Sequence, residues 1–319
     1  MKINLKVLAY LSLISLVLVG CSGCSSYIKK LEIENPAAPN NYYEGNHAAM
    51  PIEQKYTKLG QYEVESEVFP SGVSKYKEFK VWYPKNIANS NDPFPVVVFA
   101  NGSGVKYYRY ESVFKHLASW GFVVIGNDEP TSFSGESSSK ALALLEKFNN
   151  DKGSIFYNKL DIDNAGISGH SQGGVGAINA ATKYANSSNF KSVFTASTLR
   201  KPAASAINWH YDISKIGVPY FAISGTGKND AGTLNNPNAG IAPLPSLIEN
   251  HNNINSGKLT LYARRKDNDH PEMLYIGDGY MTAWFMYTLL NDNEAKKAFV
   301  GTNPEIKQNP NWQDVEIRN

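Results

Sequence analysis

Apolar and polar positions change their period several times along the chain, and each change marks an element. Residues 62–69 and 76–83 alternate polar with apolar side chains around Pro70-Ser71-Gly72, the pattern of an antiparallel edge hairpin. Residues 95–100 form an unbroken Val/Phe/Ala run after Pro95, which predicts a strand buried on both faces. Residues 108–120 are amphipathic at helical spacing, 121–126 form a second buried run, and 140–148 read as helix. A short apolar run at 165–168 enters a glycine-rich turn followed by a helix of small residues. Further strands are predicted at 192–196, 219–224 and 259–263, with closing helices at 280–290 and 294–299. Strands alternating with helices predict an α/β fold, a mostly parallel sheet with helices on both faces. Ligands in such sheets sit beyond the carboxyl ends of the strands, so the turns there hold the candidate chemistry.

The start of the chain follows a different pattern. Lys2 and Lys6 precede an almost unbroken apolar run at 7–19, which is too short to span a membrane comfortably and reads as a secretory signal. Residues 22–60 are polar, rich in Asn and Tyr and interrupted by Pro36, Pro39 and Pro51, as in a tether, part of which is free to pack onto the domain. The expected division is 1–20 signal peptide, 21–60 tether and 61–319 catalytic domain. The formal charge of +2 belongs to the signal: without its two lysines, 29 of the 31 basic residues remain against 29 acidic ones. With no basic tract either, nucleic acid is excluded as a partner. The two cysteines, Cys21 and Cys24, lie ahead of the domain, which must therefore hold together without disulfides.

The central motif is Gly169-His170-Ser171-Gln172-Gly173. Between a strand and a helix, this spacing holds a serine on a strained bend, with glycines two residues to either side where side chains would collide. Ser171 is the candidate nucleophile, and the amide of Gln172 at the helix start is a candidate oxyanion donor. A serine hydroxyl needs a base, and the base needs an acid to hold its tautomer. For this turn the acid follows a later strand and the histidine comes last. Of six histidines, only His270, on the loop after the last predicted parallel strand, fits that order. Asp230, on the loop leaving strand 219–224, is the candidate acid. Asp267 and Asp269 are read as solvated loop charges, and Asp128 as a turn or cap residue. His116, His170 and His251 are read as structural. The second oxyanion donor is placed at the Ser103 amide within Asn101-Gly102-Ser103-Gly104, with Gly104 the alternative. No ligand spacing implies a metal, no phosphate-loop lysine follows either glycine-rich turn, and no cofactor is expected.

Three patches carry a family resemblance: Asp163 to Gly174, Asn208-Trp209-His210-Tyr211-Asp212 ahead of Val218-Pro219, and Met281-Thr282-Ala283-Trp284-Phe285. Across about residues 62–292 the chain resembles the α/β-hydrolase superfamily, and within it the bacterial cutinase, polyester hydrolase and dienelactone hydrolase-like group. The resemblance implies the α/β-hydrolase fold and a serine esterase with a Ser-His-Asp triad. It also implies that Trp209 lines an acyl or aromatic subsite; a packed core tryptophan is the alternative. The paired cysteines usual in cutinases are missing, Gln172 stands where polyester hydrolases commonly have Met, and 226–245 is longer than the family's loop. These departures bear on the substrate more than on the mechanism. Leu18-Val19-Gly20-Cys21 resembles the bacterial lipobox, which implies a chain cut before Cys21, lipidated there and anchored to the outer side of a membrane in the cell envelope. The expected partners are a small-molecule or polymeric ester and, through the lipid anchor, a membrane; the enzyme is expected to be monomeric. A peptidase or acyltransferase of the same fold, or a binding lipoprotein without activity, are the alternatives.

Overall fold

The computed structural model describes residues 37–319 apart from 40, 234, 237, 238 and 256. The expected signal peptide, Cys21 and the tether up to residue 36 lie outside the described residues. Nine described strands form one sheet: β1 (Val64–Val73), β2 (Tyr76–Pro84), β3 (Phe94–Ala100), β4 (Val123–Asn127), β5 (Leu160–His170), β6 (Phe190–Ala196), β7 (Tyr220–Gly225), β8 (Thr260–Arg265) and β9 (Trp312–Arg318). Their order is β1-β2-β4-β3-β5-β6-β7-β8-β9. The six from β4 to β8 run parallel, and β1, β2 and β9 are antiparallel additions at the two edges.

Both faces of the central strands are covered, which explains their unbroken apolar runs. All of β3 is buried; Val96 and Val98 face one core, Val97 and Phe99 the other. On the second core lie α2 (Glu111–Ser119) and α8 (Asp278–Leu290), numbering helices in chain order from α1 (Pro51–Thr57). The opposite face carries α3 (Glu136–Asn150), α4 (Gln172–Lys183) and α7 (Leu244–Asn253). The remaining helices are short: α5 (Lys201–Ala206), α6 (Lys228–Ala231), α9 (Asn293–Lys296) and α10 (Glu305–Gln308). The chain leaves β3 to one side for β4 and returns on the other side as β5, so the crevice between the ends of β3 and β5 is the topological switch point.

The hairpin turn, the N-terminal segment and the last strand depart from the sequence pattern: β1 runs on through Pro70-Ser71-Gly72 to Val73, with a register shift between Pro70 and Val73. Residues 41–57, placed in the tether, pack onto the domain. Tyr42 and Tyr43 are buried against Tyr275 and Ile276, and the Tyr43 hydroxyl donates to Asp278 at 2.5 Å. The α1 helix lies on α8, close enough that a Cβ on Gly279 would come within 2.3 Å of Thr57 Oγ1. Pro51 opens α1, and the carboxylate of Glu305 accepts from the amides of Ile52 (2.7 Å) and Glu53 (2.9 Å). Those donors have no partner within the helix, so a carboxylate from the far end of the chain caps it. Strand β9 was not foreseen: its polar residues hide a period-two pattern in which Trp312 packs inward and the strand pairs with β8.

Candidate active site

Strand β5 ends at His170, α4 begins at Gln172, and Ser171 between them has φ 59° and ψ −119°. A positive φ is costly for a residue with a side chain, and the neighbours fix it in place. The Ser171 amide donates to Ala196 O (2.9 Å), and Gly174 N donates to Ser171 O (3.0 Å). A Cβ on Gly169 would stand 2.1 Å from Gly173 O, and one on Gly173 2.0 Å from Ala100 O. Only glycine at both positions lets the bend close against β3.

Strands β7 and β8 deliver the next two groups. Pairing of Gly225 with Arg265 brings their exits side by side. From β7 the chain turns into α6, where Asp230 is completely buried; from β8 it loops to His270, whose side chain is 16% exposed. His270 Nδ1 and Asp230 Oδ1 are 2.7 Å apart. A carboxylate only accepts, so Nδ1 carries the proton and Nε2 is the basic nitrogen of the neutral ring. The other Asp230 oxygen accepts from Ser197 Oγ (2.5 Å) and Gly225 N (2.7 Å).

His170 connects this pair to the serine bend. Its Nε2–H donates to the main-chain oxygen of His270 (3.0 Å), and the two rings lie 4.6 Å apart between centroids. Burial, reinforced by neighbouring His270, holds the His170 ring well below the usual histidine range, so it is neutral. The sequence marks His170 only as the variable residue of the motif; its contact with the histidine loop requires the folded sheet.

Asp269 is not a solvated loop charge. Its Oδ1 accepts from the amides of Asp230 (3.0 Å) and His270 (2.8 Å), and its Oδ2 from the amide (3.1 Å) and side chain (2.8 Å) of Asn229. Asp267 is exposed, with its amide on Thr226 Oγ1 (3.0 Å). Asp128 caps the other side of the sheet, accepting from the amides of Lys77 (2.8 Å) and Glu78 (3.1 Å).

The loop after β3 lies beside the bend because Ala100 pairs with Gly169. Asn101, another residue missed in the sequence, is fully buried and anchors this loop to the end of β4 through Asn127 O (2.7 Å) and Glu129 O (3.1 Å). Gly102 N donates to the Tyr110 hydroxyl (2.9 Å) and Gly104 N to Pro130 O (2.9 Å). Of these three amides, Ser103 is the one without a protein acceptor among the described residues. Trp209 is half-buried and stacks on Phe133, with centroids 5.3 Å apart and planes 14° apart. Among the described residues no hydrogen bond or ring contact joins it to Ser171, His270 or Asp230. Behind the bend a cavity of about 10 Å³ touches Ser168, His170, Asp278 and Met281. None of Ser171, His270 and Asp230 lines it, and its wall is mostly apolar, with Phe99, Phe194 and Ile223 among its residues, so it is not a substrate cleft at the candidate groups. Among the described residues, no group of three or more His, Cys, Asp or Glu side chains could hold a metal ion.

A family model described as PET hydrolase-like (PETase) matches residues 37–231, more than half of the chain. The chain belongs to the PET hydrolase-like family. Its sheet is thereby that of the α/β-hydrolase superfamily, and family membership implies an ester hydrolase. The matched span includes Ser171 and Asp230 and stops before His270. No curated protein matches the chain.

Proposed function

We propose that this PET hydrolase-like chain cleaves carboxylic esters through Ser171, His270 and Asp230, by way of an acyl-enzyme. The supporting observations are the 2.7 Å bond between His270 Nδ1 and a fully buried Asp230, and the 3.0 Å bond that ties the His270 main chain to His170, the residue before a serine held at φ 59°. His270 Nε2 takes the Ser171 proton as Oγ attacks the ester carbonyl, and returns it to the leaving alcohol; water then repeats the sequence on the acyl-enzyme. Asp230 fixes the tautomer and stabilises the imidazolium in a site of low dielectric. The oxyanion is held by the amides of Ser103 and Gln172, the latter at a helix N-terminus where main-chain donors lack partners. With Gly102 and Gly104 committed elsewhere, Ser103 is favoured over Gly104. Trp209, stacked on Phe133, supplies an aromatic wall for the acyl or aromatic part of the substrate. In this reading Cys21 carries a lipid that anchors the enzyme outside a bacterial membrane, and intact mass of membrane-extracted protein tests it.

The deciding experiment is labelling by an organophosphonate probe together with hydrolysis of p-nitrophenyl esters. Both occur in the wild type and disappear in Ser171→Ala. A parallel panel of aminoacyl anilides separates esterase from peptidase, and added alcohol acceptors reveal acyl transfer. Labelling that survives Ser171→Ala sinks the assignment. A wild type that binds ester but is never labelled at any pH is the binding lipoprotein instead.

A further inference from the structure

We infer that Asp269 is a positioning residue that sets the acid-bearing turn in register with the histidine loop. The inference rests on the Ser171/His270/Asp230 reading. Asp230 and His270 leave neighbouring strands on separate loops, and ordering each loop residue costs backbone entropy. Contacts between the loops must therefore fix both at once. The Asp269 carboxylate does this: one oxygen binds the amides of both Asp230 and His270, and the other binds Asn229 twice. Charged acceptors form the stronger class of hydrogen bond, so the tie is stiff.

The carboxylate is itself held. The Asp269 amide donates to Glu272 Oε2 (2.9 Å), and Asp269 O accepts from Glu272 N (3.1 Å). Room for it is kept by Gly227, where a Cβ would meet Asp269 Cβ at 2.4 Å, and Gly227 N donates to Asn268 O (2.8 Å). Both Asp269 oxygens are thus occupied by groups of the two loops, and neither faces the His270 ring nitrogen that Asp230 holds. Asp269 acts on the reaction through the placement of the other two residues. It cannot stand in for the acid, so Asp230→Asn is not rescued by it.

Misplacement of reacting groups by about 1 Å costs on the order of 100-fold in rate. Asp269→Ala is accordingly expected to lower kcat about 100-fold per titrated active site, with KM changed less than about twofold, because the loss falls on the transition state. Asp269→Asn keeps one acceptor oxygen for the two amides and loses about tenfold. The exposed neighbour Asp267→Asn, at φ 58° where asparagine is tolerated, leaves kcat unchanged. Activity is normalised by phosphonate titration, so a smaller folded fraction does not count as lost chemistry. The downfield proton of the His270–Asp230 bond in the NMR spectrum is expected to move upfield or broaden in Asp269→Asn. If Asp269→Ala does not fold, Asp269→Asn decides alone. An Asp269→Asn enzyme with wild-type kcat and an unmoved proton overturns the inference, as does an equal loss in Asp267→Asn. An inactive wild type, or an active Ser171→Ala, overturns the triad reading instead.

Discussion

Ser197 separates two effects that usually travel together, because it donates to the buried acid from a strained backbone. Its Oγ donates to Asp230 Oδ2 at 2.5 Å, its amide donates to Ile223 O at 2.7 Å, and its φ is 50°. Both Ser197 and Asp230 are fully buried. Ser197→Ala removes the hydroxyl and keeps the backbone, leaving Asp230 Oδ2 with Gly225 N alone. A hydrogen bond to a charged group contributes about 1.5–3 kcal/mol, so the alanine variant is expected to lose stability in that range. Ser197→Gly loses the same bond but relieves the left-handed strain, which costs a residue with a Cβ about 1–2 kcal/mol. The greater freedom of glycine in the unfolded chain offsets about 0.5–1 kcal/mol of that relief. The glycine variant is therefore expected to be more stable than the alanine variant by up to about 1.5 kcal/mol, the reverse of the usual order at a buried site. Guanidinium unfolding monitored by tryptophan fluorescence checks this through the midpoint at constant slope. An alanine variant within about 0.5 kcal/mol of the wild type, below the range for such a bond, refutes the reasoning. So does a glycine variant clearly less stable than alanine.

Three other predictions follow from buried groups and close approaches. Burial pushes His116 from its ordinary 6.5 down to about 4. The unfolded chain therefore binds a proton that the fold refuses, and stability present above pH 6.5 falls as pH drops towards 4 by up to about 3 kcal/mol. Compared with His116→Gln, the wild type should lose that much more across the window; parallel stability curves refute it. Gly227→Ala drives a Cβ into Asp269 and is expected to lower kcat by about 10–100-fold in ester hydrolysis while leaving phosphonate titration stoichiometric. Glu305→Ala uncaps α1, leaving the Ile52 and Glu53 amides without their acceptor, and is expected to cost about 1–3 kcal/mol and to expose the 41–57 segment to limited proteolysis. Unchanged protease resistance would show that packing on α8 holds that segment without the cap.

Most of the sheet was legible because its strands are buried on both faces. Phe94–Ala100 and Tyr220–Gly225 are buried throughout, and a continuous apolar run admits little else at that length. Strand β9 and helix α1 were not legible for the opposite reason. Trp312–Arg318 shows one face to water and depends on β8 for its pairing. Helix α1 is short and polar, its cap comes from Glu305, and its buried Glu53 is matched to Trp312 and Asn309 from the far end of the chain. No local period encodes partners about 250 residues away in sequence.

The same division runs through the candidate site. Ser171 was legible because its motif constrains the local backbone: glycine is demanded wherever a Cβ would meet Gly173 O or Ala100 O. Asp230 and His270 could be placed by order along the chain. Ser197, Asp269 and Asn101 could not, since a polar residue in a loop carries no mark of which main-chain groups it will meet. Yet these residues determine how closely the candidates approach. Asp230 is fully buried and its two oxygens are matched to three donors from three different segments, and Asp269 joins the turn that carries Asp230 directly to the histidine loop. Burying a carboxylate without such partners costs several kcal/mol, so the hydrogen-bond network and the buried acid must arise together. Substitutions at the ends of β6, β7 and β8 should therefore perturb the Asp230–His270 pair more than equally conservative changes along the strands, where packing can relax without moving a donor.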